Sequence, residues 1–385
     1  MKPKKHILPI IIIAQFACTS VWFAGNSIVN ELAQVTGFGS ELIGYILSSV
    51  QFGFILGTLT FALLTIADRF SPSKVFLVCA ILAAGCNILL LVEGISKIGL
   101  LGARFGTGFF LAGIYPIGMK IAADYYEKGL GLALGYLVGA LVFGKSLPYF
   151  IKSLQWGSYE SVVIATSLFT VSGGVLLWLT VPDGPFRKVG RKLKLKSGPE
   201  LFKIANFRKA AFGYFGHMWE LYAFWGFLPF AITTFNNISG DSLYVPLYTS
   251  LLIAVGGLGC IAGGYLSIRH GSKQVAFSTL LISGLCCMFS PIFYHLPVYL
   301  FLAFFVLWGF MVSADSPQFS SMVASAVPKN LKGTALTLVN CLGFAISIIS
   351  IELISLLSDT FNPEYAFIIL VIGPIFGLIH LRNHK

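Results

Sequence analysis

Residues 213–227 read GYFGHMWELYAFWGF, an almost wholly aromatic and apolar run that nevertheless holds His217 and Glu220. Three positions apart on a helix, an imidazole and a carboxylate lie on nearly the same face and can share a proton or a hydrogen bond. A second acid, Asp315, stands in MVSADSPQF with Ser313, Ser316, Gln318, Ser320 and Ser321 around it and Pro317 beside it. Two cations, Arg104 in RFGTG and Lys145 in VFGKSLPYF, have equally apolar surroundings. Ionisable groups in such settings are suited to proton loading and charge matching. Each also has a plainer reading. His217 and Glu220 could join neighbouring helices, Asp315 could mark a proline kink, and Lys145 could reach a membrane surface. No GxxxxGK[ST] loop, strand-borne GxGxxG, HExxH or nucleophile elbow occurs, so nothing points to an enzyme or an ATP-driven pump.

What surrounds these residues follows from composition. Of 385 residues, 56% are hydrophobic and 11% charged, and the mean hydropathy is +0.85. A soluble domain carries about 25% charged residues. The chain is therefore expected to be an all-α polytopic membrane protein. A spanning helix needs about 20 apolar residues. Twelve segments qualify: 7–31, 42–67, 74–93, 98–122, 129–151, 160–181, 209–236, 243–268, 274–294, 297–326, 333–357 and 364–381. The start, MKPKKHILPIIIIAQFA, imitates a signal peptide but has no small-x-small cleavage site, and reads as the first span. Glu220 is eleven residues past Lys209, about 16 Å along a helix and so near mid-membrane. A charge there costs on the order of 3 kcal/mol, which asks for a partner, a cavity and a reason.

Sidedness follows from the basic residues. With the N-terminus inside, 22 of the 26 Lys and Arg fall in inside segments, including Lys2, Lys4, Lys5, Lys128, Lys329 and Lys385. Only Lys97 and Lys152 fall in outside loops. This imbalance matches the positive-inside rule and places both termini in the cytoplasm of a bacterial inner membrane. The net charge of +11 is thus a topology signal, with membrane lipid as a partner and no nucleic acid. The seven cysteines all lie in apolar runs without ligand spacing, so neither a metal site nor a disulfide framework is expected. No cofactor is expected.

One long loop divides the chain into a six-helix bundle over 1–181, a basic cytoplasmic linker over 182–208 (with Lys188, Arg191, Lys192, Lys194 and Lys196), and a second six-helix bundle over 209–385. The halves echo each other. GFFLAGIYPIGMKIAADYYEKGLGLALG at 108–135 aligns with GFMVSADSPQFSSMVASAVPKNLKGTAL at 309–336, bringing Gly108, Phe109 and Pro116 onto Gly309, Phe310 and Pro317. Twelve transmembrane helices in two pseudo-symmetric six-helix bundles are the expected fold, and such repeats are a common transporter plan.

Twelve spans, a basic central loop and repeated halves resemble the major facilitator superfamily over essentially the whole chain. DRFSPSK at 68–74 partly matches that family's loop between spans two and three. The resemblance implies that Asp68 and Arg69 latch a cytoplasmic gate. RFGTG resembles the family's Arg-x-x-x-Gly motif, which implies proton coupling through Arg104. GHMWELYAFW and ADSPQFSS are similar to a bacterial branch loosely labelled nitrate/nitrite porter-like. Spans two and eight lack the arginines of true nitrate porters.

In span one, Gln15, Thr19, Trp22 and Asn26 are spaced 4, 3 and 4, one polar stripe on an otherwise apolar helix. It reads as facing a solute cavity, with Gln51 and Asn340 joining it, or as a polar packing seam. Tyr222, Gln318 and Lys145 are further candidates for solute contact. The combined expectation is a monomeric secondary active transporter. It moves a small solute by alternating access with the proton gradient as driving force, by symport. Glu220, Asp315, Arg104 and His217 would carry coupling and charge. A drug/proton efflux antiporter, or a non-transporting membrane sensor on the same fold, are the alternatives.

Overall fold

The computed structural model describes residues 6–39, 41–126, 130–187, 197–328, 330–360 and 362–382. Lys2, Lys4, Lys5, Lys128, Lys188, Arg191, Lys192, Lys194, Lys196, Lys329 and Lys385 lie outside them, as does the middle of the linker. The regular structure of the described residues is helical. The chain divides into two compact units, Met1–Leu193 and Lys194–Lys385.

Among the described residues, ten helices are long and apolar enough to cross a membrane. They are Leu42–Leu63, Pro72–Leu91, Lys97–Tyr125, Leu132–Ser153, Tyr159–Thr180, Val245–His270, Ser272–Phe293, Val298–Ser325, Lys332–Ser358 and Pro363–Leu381. Two more complete the twelve and depart from this rule for opposite reasons. Ile7–Trp22 is apolar but shorter, because its α-helix ends at Thr19, passes through a 3-10 turn at Ser20–Trp22 and resumes as Ala24–Ser27 and Val29–Thr36. Ala205–Ser239 has 35 residues, about 52 Å of helix, but His217, Glu220 and its tyrosines dilute its apolar character. Numbered in chain order, these are spans one to twelve.

Boundaries match the sequence expectation to a few residues, with three differences. Span two stops at Leu63 rather than 67, because Thr65 adopts a left-handed φ of 50° and Ile66–Arg69 forms a separate turn. Span seven starts at Ala205, inside the expected linker, which also holds a short helix at Gly198–Leu201. Span one is broken, and no proline announces it.

Packing inside each unit follows one plan. In the first unit, span one packs on spans five and six, span two on span four, and span three on spans four and six. The second unit repeats each pairing six spans later: seven on eleven and twelve, eight on ten, nine on ten and twelve. Glycines permit the closest approaches. A Cβ on Gly57 would strike the Phe109 carbonyl, and one on Gly259 the carbonyl of Phe310. Gly108 likewise lies against the carbonyl of Val50, and Gly309 against that of Leu252. Small residues allow such backbone contact between membrane helices, where dispersion replaces the hydrophobic effect as the driving force.

Spans four and ten also break at matching places. Lys97–Leu111 and Tyr115–Tyr125 are separated by a turn at Ala112–Ile114. Val298–Ala314 and Ser316–Ser325 are separated by Asp315. In both, a proline opens the second piece, Pro116 and Pro317, where its missing N–H costs no intrahelical bond. Ile114 in the first unit thus corresponds to Asp315 in the second, and only the second break carries an acid.

Candidate functional site

Each unit buries a charged polar cluster where its first, third and fourth spans meet. In the first unit the cluster centres on Arg104, fully buried on span four. Its Nη1 donates to the Val21 carbonyl at 3.2 Å and to Asn87 Oδ1 at 3.3 Å. Its Nη2 donates to the carbonyls of Trp22 at 2.5 Å and Val21 at 3.3 Å. These carbonyls lie at the break in span one. A broken helix in lipid must find partners for its freed backbone groups, and the guanidinium supplies donors in a rigid fork. Asn87 on span three is itself fixed, donating to the Val163 carbonyl, Thr166 Oγ1 and Ser167 Oγ at 3.2, 3.1 and 3.0 Å. A Cβ on Gly25 would come within 2.9 Å of Arg104 Nε, so the glycine leaves room for the side chain.

Lys145 is fully buried, with Nζ 4.1 Å from the Trp22 ring centroid and 5.7 Å from that of Phe23. This overturns the reading that it reaches the membrane surface. The ammonium sits over aromatic faces, which attract cations. Trp22 therefore meets both cations, one at its carbonyl and one at its ring.

Two members of the polar stripe are orphans. Gln15 and Asn26 are buried at 0% and 1% exposure, and neither carboxamide has a hydrogen-bond partner among the described residues. Gln15 lies against Gly118 of span four. Thr19 bonds back to the Gln15 carbonyl at 2.8 Å. Gln51 is fully buried on span two.

The second unit holds two polar groupings where one His217–Glu220 pair was expected. The imidazole turns to span ten instead. His217 Nδ1 is 2.9 Å from Asp315 Oδ1, and Nε2 is 2.9 Å from Ser316 Oγ. His217 and Asp315 are 1% and 0% exposed, while Ser316 is only half-buried. A serine, an imidazole and a carboxylate thus run from a half-buried residue to a fully buried one, across the break in span ten. The 2.9 Å approach of His217 to Asp315 is a close contact rather than an aligned hydrogen bond: among the described residues neither Asp315 oxygen nor His217 Nδ1 has a hydrogen-bond partner.

Glu220 is fully buried and faces spans nine and ten. Its Oε1 accepts from Trp308 Nε1 at 2.7 Å and from Cys287 Sγ at 3.3 Å. Its Oε2 accepts from Ser283 Oγ at 2.9 Å. All three donors are neutral. Trp308 is wedged among Phe224, Phe304, Phe305 and Phe367, so its N–H direction is fixed by packing.

The other candidates are spread through the two units. Tyr222 is buried against Trp225 and Phe344. Asn340 accepts from Tyr214 of span seven at 2.7 Å. Gln318 is buried, with Nε2 unpartnered among the described residues. Asp68 pairs with Lys120 of span four at 2.9 Å. Arg187, after span six, pairs with Asp183 and donates to the carbonyls of Asp68 and Phe70 at 3.2 and 2.7 Å. Arg69 is exposed.

Asn87, Ser283, Cys287 and Trp308 were missed in the sequence. Asn87 was findable, as an amide inside LAAGCNILLLV. A tryptophan or cysteine in an apolar run carries no such signal. Among the described residues no cluster of three or more His, Cys, Asp or Glu could hold a metal ion, and the seven cysteines are free.

Known proteins agree with this architecture. No curated protein sequence matches the chain. Among solved structures, the human organic anion transporter MFSD10 (TETRAN) superposes with a TM-score of 0.74 at 13% identity, over 99% of this chain and 100% of that one. A mutant of the nucleoside transporter NupG gives 0.73 at 14% identity, over 97% and 98%. The family model described as Major Facilitator Superfamily matches residues 10–250 and 210–383. With twelve helical spans in two repeated units and a family match along nearly its whole length, the chain is an integral membrane transporter, not an enzyme, and belongs to the Major Facilitator Superfamily.

Proposed function

We propose that this protein is a proton-coupled symporter for a small organic solute, working by alternating access, with His217 and Asp315 as its coupling pair. One observation carries the reading. The imidazole bridges a fully buried carboxylate and a half-buried hydroxyl, at the one helix break of the repeated pair that holds an acid. A proton entering by Ser316 can pass to His217 Nε2 while the Nδ1 proton moves on to Asp315, neutralising its carboxylate with small side-chain movements. Histidine suits the carrier role because one ring nitrogen can accept a proton while the other releases one. Glu220 supplies a second buried carboxyl group, anchored by its three donors. Within the first unit Gln15 and Asn26, and within the second Gln318, hold unmet hydrogen-bonding capacity, which supports a solute rich in polar groups. Leaving buried amides unpaired costs about 1–3 kcal/mol each, which a hydrogen-bonding ligand would offset.

The basic-residue imbalance supports cytoplasmic termini in a bacterial inner membrane. The Asp68–Lys120 and Arg187 contacts support a gating role for the loop after span two. The family's architecture is compatible with a working monomer.

Proteoliposomes containing a pH dye, with sugars, nucleosides, organic anions, amino acids and cationic drugs added in turn, test the reading. Symport appears as acidification of the lumen on adding one solute, and as accumulation of that solute down an imposed proton gradient. Alkalinisation on adding the same solute would instead mean antiport. Ligand binding with neither solute nor proton movement would mean a sensor.

A further inference from the structure

The second unit has two adjoining clefts at the end where spans seven and nine begin and spans eight, ten and twelve finish. Asn206, Lys209, Lys273, Met322, Ser325, Ala326 and Leu381 line one. His270, Gly271, Ser272, Lys273, Gln274, Phe277, Leu381 and Arg382 line the other. Lys273 and Leu381 belong to both, so the two form one continuous depression. Among the described residues, the charged side chains that line it are all basic. The left-handed Gly271, with φ of 79°, turns the chain sharply between spans eight and nine. Ser272, Lys273 and Gln274, the first turn of a 22-residue helix, therefore open onto the depression. Helix starts favour anions through their exposed N–H groups and dipole.

The depression also leads somewhere. Phe277 begins a line of side chains along span nine that continues through Leu281, Leu285 and Met288, which are 41%, 43% and 46% exposed. Spacings of four, four and three keep them on one helix face. A phosphate bound at the basic end has an apolar track directly beside it.

We propose that this depression is a binding site for an anionic phospholipid. Lys209, Lys273 and Arg382 surround the phosphodiester, and an acyl chain lies on Phe277, Leu281, Leu285 and Met288. The basic cleft alone would suit any phosphate. Its continuity with the apolar track selects a lipid over a soluble anion. The site is independent of the transport reading, since it touches none of the buried ionisable groups.

Native mass spectrometry of the full-length protein in an uncharged detergent tests it. Phosphatidylglycerol, phosphatidylcholine and glycerol 3-phosphate are titrated in parallel against wild type, Lys209→Gln/Lys273→Gln and Lys209→Arg/Lys273→Arg. Each basic residue near anionic lipid contributes enough that losing two should weaken phosphatidylglycerol retention about tenfold or more. Wild type should prefer phosphatidylglycerol over phosphatidylcholine, the glutamine variant should lose that preference, and the arginine variant should keep it. Equal retention of both lipids by wild type overturns the proposal, however the variants behave. So does a preference intact in the glutamine variant, or displacement of the lipid by equimolar glycerol 3-phosphate.

Discussion

The two units bury ionisable groups of opposite sign where corresponding spans meet. In the first, Arg104 on span four is held by acceptors from spans one and three. In the second, Glu220 on span seven is held by donors from spans nine and ten. None of these hydrogen-bond partners carries a charge. A buried ion pair would cancel each charge locally, at the cost of desolvating both partners. Dipoles hold the charge in place and leave it uncancelled. The difference between the units then lies in chemistry. A guanidinium stays protonated, so the first cluster is a fixed cation that also ties down the broken end of span one. A carboxylate can take a proton, and the second unit adds a histidine and another acid beside it. On the function proposed above, one repeat plan yields a structural charge in one copy and exchangeable charges in the other.

Four substitutions break or sharpen this contrast, all measurable as unfolding midpoints in detergent. Arg104→Met should cost most, about 3 kcal/mol, because it strands the carbonyls of Val21 and Trp22 and the Asn87 oxygen, each unmet acceptor costing about 1–3 kcal/mol less what relaxation recovers. Trp308→Phe should cost about 2 kcal/mol, the worth of a hydrogen bond to a charged group. A loss there matching that of Arg104→Met would mean that packing, not charge, dominates both clusters. Glu220→Gln should cost about 1 kcal/mol, since its oxygen can still accept from Trp308 while Ser283 reverses to accept from the new amide. Ser283→Ala should cost least, about 0.6 kcal/mol, the average for hydrogen bonds between membrane helices. Its hydroxyl already has a second acceptor in the Leu280 carbonyl, at 3.2 Å.

The contrast also marks how far sequence reading reached. Periodicity and charge placed the spans, because a helix in lipid must be apolar for most of its length. Aligning Pro116 with Pro317 put a proline at the same place in both halves, but a break was expected only at Pro317, whereas both spans are interrupted. Glu220, Asp315 and Arg104 stood out by their cost in lipid. Their partners did not. His217 and Glu220 are neighbours along one helix, yet which side chain meets which across helices depends on packing that a period cannot encode. The break in span one was hidden for a related reason: what holds TSVWFAGN open is Arg104, some eighty positions later. Lys145 looked able to reach water, and only the aromatic cover from Trp22 and Phe23 shows that it does not.

The central claim is that the exchangeable charge lies at His217 and Asp315. Proton flux driven by a transported solute, compared among wild type, Asp315→Asn and Arg104→Lys in proteoliposomes, tests it most directly. Asp315→Asn should lose solute-driven proton flux by about a hundredfold, the scale of a lost proton-transfer group, while still exchanging labelled for unlabelled solute. Arg104→Lys keeps the fixed charge and should retain the coupling ratio even where less protein folds. Undiminished proton flux per solute in Asp315→Asn would contradict the assignment.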